Sequence, residues 1–252
     1  MKSADRLTYV GHSTVLLELD GVRVLTDPVL RRRLGPLVRH GAPPPAAATE
    51  RIDAVLISHL HHDHADLGSL RKLEREVPLL VPPGSRAFFR RRGFDQVTEL
   101  GVGSSTAVGA LTVTAVEADH ETGRRRHARR SDAIGFLVEG SRSVYFAGDT
   151  DVFAGMEGLA PELDLALLPI WGWGPTVGPG HLDPRRAAEA AALLAPRVAV
   201  PIHWGTLYPV GLRHLNPGRL WQPGREFLDC MGELAPQIET RVLSPGESTS
   251  LA

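Results

Sequence analysis

Residues 58–64 read Ser-His-Leu-His-His-Asp-His, which puts His59, His61, Asp63 and His64 within six consecutive positions. Imidazoles with a carboxylate are the donor set of a borderline divalent cation such as Zn²⁺, with Mn²⁺ or Fe²⁺ as alternatives. The chain holds only 11 histidines, so packing or a chance surface run explains such a cluster poorly. The chemistry to expect of it is metal binding.

Further candidate ligands each follow an apolar, strand-like stretch. His120 comes after Ala110–Ala118, Asp149 after Val144-Tyr145-Phe146-Ala147, and His203 after Val198-Ala199-Val200-Pro201-Ile202. The run before the cluster, Asp53 to Ser58, is itself apolar and β-branched, the pattern of a buried strand. In open α/β arrangements ligands gather outside strand ends. Taken singly, each of these residues reads equally well as a turn or a hydrogen-bonded core histidine. Taken with the cluster, they point to one shared cleft.

The elements that position these residues are legible in outline. Thr14–Leu19 and Val22–Thr26 flank Asp20-Gly21, a strong hairpin signal, and Asp27-Pro28 stops the second arm. Residues Leu30 to Glu50 show no periodicity and read as a long loop. Helical spacing is expected over Leu67–Glu76 and Ser85–Arg92, and strands over Pro78–Pro82, Val97–Leu100 and Ser105–Val108. Glu121–Asp132 is a basic loop, with strands following at Ala133–Glu139, Ser143–Ala147 and Asp164–Leu168. Asp183-Pro184 opens a helix to about Leu194, aspartate serving as N-cap and proline as first helical residue. A strand at Arg197–Ile202, a helix at Pro223–Leu234 and a last strand at Ile238–Leu243 complete the chain. Hairpins followed by strand–helix alternation occur twice. One domain over residues 1–252, built of two similar β-and-α halves, is the expectation.

Composition bounds the function. With 252 residues, 42% apolar and 23% charged, the chain has an ordinary globular make-up. A net charge of −1 supplies no global field for nucleic acid or an anionic membrane. No apolar run reaches membrane-spanning length, Cys230 is the single cysteine, and Leu7 onwards is strand-like without a signal core. A soluble, cytoplasmic protein without internal disulfides is expected. Oligomeric state is not legible.

The order His59-x-His61-x-Asp63-His64, then His120, Asp149 and His203, resembles the binuclear motif of the metallo-β-lactamase-fold hydrolases. The resemblance implies an α+β fold, a four-layer αββα sandwich with the site at one edge of two packed sheets. It implies two divalent metal ions: His59, His61 and His120 on one, Asp63, His64 and His203 on the other, and Asp149 between. His62 is then the histidine of the run outside the ligand set. Two such ions hold and ionise a bridging water that attacks phosphorus or a carbonyl carbon, and Asp63 is placed to take up its proton.

Tyr9-Val10-Gly11-His12-Ser13-Thr14-Val15 and Leu25-Thr26-Asp27-Pro28 are similar to the subgroup containing the N-acyl-phosphatidylethanolamine phospholipase D and ascorbate-6-phosphate lactonase enzymes. Leu168-Pro169-Ile170, His181-Leu182-Asp183-Pro184 and Ala199–Thr206 are closer to the phospholipase branch. The implied activity is hydrolysis of a phosphodiester, with a small ester or lactone substrate as the alternative enzyme reading and a non-catalytic metal sensor as a third. Nuclease activity is disfavoured by the neutral charge.

The phospholipase-like motif also brings His181 near the metals, where it is expected to contact the scissile group or donate a proton to the leaving group; a helix-entry histidine with a structural hydrogen bond is the alternative. Asp27 and Asp119 are candidates to orient ligand histidines through their second ring nitrogens. His12 is expected to be structural, at the hairpin base, with a role in supporting the ligands as the alternative. Trp171, Trp173, Trp204 and Tyr208 either line a substrate pocket or cap the core. The Arg124–Arg130 run is a candidate phosphate clamp.

Overall fold

Residues 5–120, 133–172 and 177–251 are described by the structure, a computed structural model. The Trp173 and Arg124–Arg130 expectations lie outside those residues.

Strand β1 (Arg6–Gly11) pairs antiparallel with β2 (Thr14–Leu19), which returns as β3 (Val22–Thr26). Asp20 and Gly21 make that turn with φ of 52° and 83°, the double left-handed geometry whose twist suits a two-residue hairpin. Two short strands, β4 (Arg33–Leu34) and β5 (Leu37–Arg39), precede β6 (Ala54–Leu56), which lies parallel to β3. Helix α1 (Leu67–Leu70), β7 (Leu79–Val81), α2 (Arg86–Arg90) and β8 (Val97–Glu99) complete the first half.

The second half runs β9 (Ser105–Val108), β10 (Leu111–Glu117), β11 (Ile134–Glu139), β12 (Ser143–Phe146), β13 (Leu165–Pro169), α3 (Pro184–Leu194) and β14 (Val198–Ile202). The chain ends through β15 (Leu207–Pro209), α4 (Leu212–Leu215), α5 (Gln222–Leu234), β16 (Glu239–Thr240) and β17 (Ser248–Ser250). Among the described residues these strands form two seven-stranded mixed sheets and a three-stranded one. The orders are β17-β1-β2-β3-β6-β7-β8, β16-β14-β13-β12-β11-β10-β9 and β15-β5-β4.

Strand periodicity explains the layering. In β2 and β3, Leu17, Leu19, Val22 and Val24 join a core shared with Val113, Phe136, Val138 and Phe146 of the second sheet. Their neighbours Leu16 and Leu25 face the opposite way, into a core with Val55, Ile57, Leu70, Leu73 and Phe89. Both faces of the first sheet are therefore covered, one by the second sheet and one by α1 and α2. Across the second sheet, Ala187, Ala191 and Leu194 of α3 pack with Phe227 and Met231 of α5. The result is the expected α+β sandwich of four layers. Each fully buried large apolar side chain contributes about 1.5–3 kcal/mol.

Three local expectations are corrected. Leu30–Glu50 is not wholly loop: β5 pairs with β15, and Val29, Leu34, Leu37 and Leu207 form a small core beneath them. A partner 170 residues away supplies the order that local spacing does not show. The helix after Asp66 stops at Leu70, although the Asp66 carboxylate caps it by accepting from the backbone of Gly68 and Ser69. Val77-Pro78 leads the chain into parallel pairing in β7, and proline disfavours helix in the residue before it. The last predicted strand shrinks to Glu239–Thr240, and β17 closes back onto β1 with Leu7 opposite Thr249.

Strands β1, β3 and β6 of the first sheet end at one edge of the sandwich, where β10, β12 and β14 of the second also end. His12, Asp27, His59, His120, Asp149 and His203 all lie just past these ends.

Candidate metal centre

The strand ends bring every candidate ligand into one cluster. His59 Nε2 is 2.9 Å from His61 Nδ1, which is 3.4 Å from His120 Nε2. Donor atoms of His12, Asp63, His64 and His203 lie within 4.8 Å of one another, as do those of His59, His61 and His120. Asp149 stands between the two groups. Its Oδ2 is 3.3 Å from His64 Nε2 and 4.0 Å from His59 Nε2, and its Oδ1 is 3.5 Å from His203 Nε2. His181 Nε2 reaches the same carboxylate at 3.7 Å. His62 is exposed and belongs to none of the candidate ligand groups.

Hydrogen bonds around the cluster set which ring nitrogens carry lone pairs. Asp27, fully buried, accepts from the Ser58 amide at 2.8 Å and from Ser58 Oγ at 2.6 Å. It also lies 2.6 Å from His64 Nδ1, and Ser58 Oγ lies 3.0 Å from His59 Nδ1. One carboxylate thus holds a histidine of each ligand group, directly or through a hydroxyl. His120 Nδ1 donates to the Gly180 carbonyl at 2.8 Å. With these Nδ1 positions serving as donors, Nε2 of His59, His64 and His120 turn their lone pairs inward. Asp119 does not take the expected orienting role for His120; its backbone pairs with Asp151 and Thr150 instead.

The donor set suits a cation. His64 Nε2 and Asp149 Oδ1 are buried and have no hydrogen-bond partner among the described residues. His64 Nε2 faces carboxylate oxygens of Asp149 and Asp63 at 3.3 and 3.4 Å. Buried acceptors facing one another are unfavourable unless positive charge lies between them.

The titration shifts agree. Burial disfavours charge on His64, yet Asp149, Asp63 and Asp27 together raise it well above the usual histidine range, so that with no cation bound a second proton sits on Nε2, in the place where a metal would otherwise take the lone pair. Burial would raise Asp63 and Asp149, but His64 and the other neighbouring histidines hold both carboxylates well below the usual range. Burial, reinforced by neighbouring imidazoles, pushes His59 down strongly and His61 to about 4, and burial also lowers His120. These three rings are therefore neutral at pH 7, with lone pairs available. The residues present fit a divalent metal centre.

His12 belongs to this cluster and not merely to the hairpin base. Its Nε2 lies 3.1 Å from Asp63 Oδ2, its carbonyl accepts from the His203 amide at 2.8 Å, and burial followed by His203 pushes it down to about 3. The available signal was its place in Gly11-His12-Ser13 at a strand end. Among the described residues, six non-glycine residues have left-handed φ, and His12 (58°), Asp27 (31°) and His203 (63°) are three of them. Backbone strain of this kind concentrates where side chains must be aimed.

Gly148 shows how tight the approach is. Its φ is 63°, and a Cβ there would lie 2.5 Å from Ser58 Cβ. Gly148→Ala is expected to destabilise the fold by about 2–4 kcal/mol in denaturant unfolding and to weaken metal retention by moving Asp149.

The aromatics near the site cap the core. Trp171 is buried, with its ring centroid 5.6 Å from that of Tyr208, and Trp204 is buried, stacked on Tyr9 at 6.4 Å.

A family model for the β-lactamase superfamily domain matches residues 22–204, the span that holds the cluster from Asp27 to His203. The chain belongs to the β-lactamase superfamily. A metal-dependent hydrolase of Methanopyrus kandleri is 33% identical over 96% of this chain and 98% of its own length. The N-acyl-phosphatidylethanolamine-hydrolyzing phospholipase D 1 of Caenorhabditis elegans is 31% identical, covering 81% of this chain and 64% of that enzyme. Against a Mycobacterium tuberculosis relative, 36% identical, the chain spans 58% of the relative's length. Among solved structures, Igni18, a metallo hydrolase of Ignicoccus hospitalis, superposes with a TM-score of 0.73 at 26% identity, covering 98% of both chains. No described helix is long and apolar enough to cross a membrane.

Proposed function

We propose that the cluster holds two divalent metal ions, zinc foremost, and that the protein hydrolyses a phosphodiester. The observation that carries this reading is the buried meeting of imidazole lone pairs with the Asp63 and Asp149 carboxylates. His59, His61 and His120 form one ligand group, Asp63, His64 and His203 the other, and Asp149 serves both. When bound, such ions lower the pKa of water and polarise the substrate oxygen. The name of the Caenorhabditis elegans relative favours a phosphodiester over a lactone.

The chain's own groups do the rest. Asp63, held by His12 at 3.1 Å, orients the attacking water and takes its proton. His181 is about three-quarters buried, and its Nδ1 lies 3.3 and 3.2 Å from the carbonyls of Gly178 and Pro179. That anchor leaves Nε2 facing Asp149; as the imidazolium, with a proton on each nitrogen, His181 would give the Nε2 proton to the leaving alkoxide and remain neutral with its Nδ1 proton on the carbonyls. His181→Ala is expected to lower kcat roughly 10²-fold with unchanged metal content; full turnover by the variant removes the role.

Metal analysis combined with turnover tests the whole reading. Zinc-loaded protein is offered bis-p-nitrophenyl phosphate, an N-acyl-phosphatidylethanolamine in mixed micelles, and a simple lactone. Two ions per chain with chelator-sensitive phosphodiester cleavage is the expected result. Cleavage of the lactone alone rejects the phosphodiester assignment, and bound metal without any turnover rejects the enzyme.

A further inference from the structure

Outside the metal centre, a cavity of about 790 Å³ opens against β5 and the chain that follows it. Its walls carry Arg32, Arg39, Lys72 and Arg213, with His40 among them. No carboxylate lines it among the described residues. None of the histidine and aspartate cluster lines it either.

Arg39 is the unusual member. It is 8% exposed, and its Nη atoms donate to the carbonyls of Val10 and Val29 at 2.9 and 2.5 Å. Its Nε is buried without a hydrogen-bond partner among the described residues, and no salt bridge to Arg39 forms among them. A buried guanidinium without a counter-ion is costly, because desolvation is offset only by neutral carbonyls.

Around it the other cations form no ion pair with an acid among the described residues. Lys72 Nζ donates to the Leu30 carbonyl at 2.9 Å, and Arg213 Nη1 lies 3.3 Å from His40 Nδ1. Since the guanidinium donates, that imidazole accepts and carries its proton on Nε2, as another donor. Leu30, Val38 and Pro43–Pro45 supply apolar wall.

We propose that this cavity is a binding site for an organic phosphate, its phosphate held by the exposed Arg32, Lys72 and Arg213 and its apolar part against the prolines. Phosphate suits this set because guanidinium groups bind its oxygens through paired donors. The volume exceeds what a free phosphate ion fills, which favours an ester. The site is separate from the metal centre and does not depend on the hydrolytic reading.

The test compares metal-loaded wild type with Arg32→Ser/Arg213→Ser, two positions outside the metal cluster. Isothermal titration with phenyl phosphate is expected to show two molecules per chain in the wild type, one at the metals and one here. The double variant is expected to lose the second or weaken it roughly tenfold or more, with metal content unchanged. Identical isotherms for the two proteins overturn the proposal. A parallel arm uses vesicles of phosphatidylcholine with and without phosphatidic acid. Sedimentation that needs both phosphatidic acid and the two arginines identifies a lipid headgroup as the source. Phenyl phosphate binding without vesicle binding identifies a soluble ester. Should the double variant fold poorly, anomalous scattering from tungstate soaked into wild-type crystals decides: tungsten in this cavity beside Arg32 or Arg213 supports the site, and no tungsten in the cavity overturns it.

Discussion

Asp149→Ala is expected to lower phosphodiester turnover by roughly 10³-fold or more and to reduce bound metal below two ions per chain. Metal stabilisation of transition-state charge is worth several kcal/mol, and each 1.36 kcal/mol is a factor of about ten. Asp149 is the carboxylate whose oxygens face His64 at 3.3 Å and His203 at 3.5 Å, with His59 at 4.0 Å. Alanine removes a charge that both ligand groups share. Asp149→Asn keeps the volume but loses the charge, and it is expected to fall between the two. Turnover measured beside metal content by plasma emission checks the result. Wild-type activity in either variant rules out the shared role.

Asp27→Ala is expected to cost about 3–5 kcal/mol of stability, because it strips a fully buried carboxylate from three donors at once. The Ser58 amide, Ser58 Oγ and His64 Nδ1 all lie within 2.8 Å of it. Without it His64 is no longer held in one tautomer, and Ser58 is released from orienting His59. Loss of such an orienting group typically weakens metal affinity 10–100-fold. Asp27→Asn separates the two effects. It retains the packing, but its amide group opposes a donor, so a smaller loss of stability with a similar loss of affinity is expected. Chemical denaturation with and without chelator, together with competition against a zinc indicator, measures both. Zinc affinity unchanged in Asp27→Asn would remove Asp27 from the centre.

How much of this was legible depended on the range of the signal. The hairpin at Asp20-Gly21 and the Asp183 cap, which accepts from the Arg186 amide at 2.9 Å, are local, and local chemistry sets them. The helix after Asp66 has local spacing too, yet pairing of β7 with β6 and β8 overrides it. The C-terminal strand had no local signature, since its partner β1 lies more than 200 residues away.

The same division runs through the metal centre. The sequence by itself pointed to the candidate ligand types, because His59, His61, Asp63 and His64 within six positions have few other uses. It also placed His120, Asp149 and His203 after apolar strands, since period-two burial marks where each strand stops. Only the tertiary structure decided that those stops share one edge, that His12 meets Asp63, and that Asp27 holds His59 and His64 together. It alone placed Arg39 in a cavity wall without a counter-ion among the described residues. Residue type carries donor chemistry and local pattern carries strand ends. Proximity between positions as distant as His12 and His203 comes from sheet pairing, which no short window of sequence records.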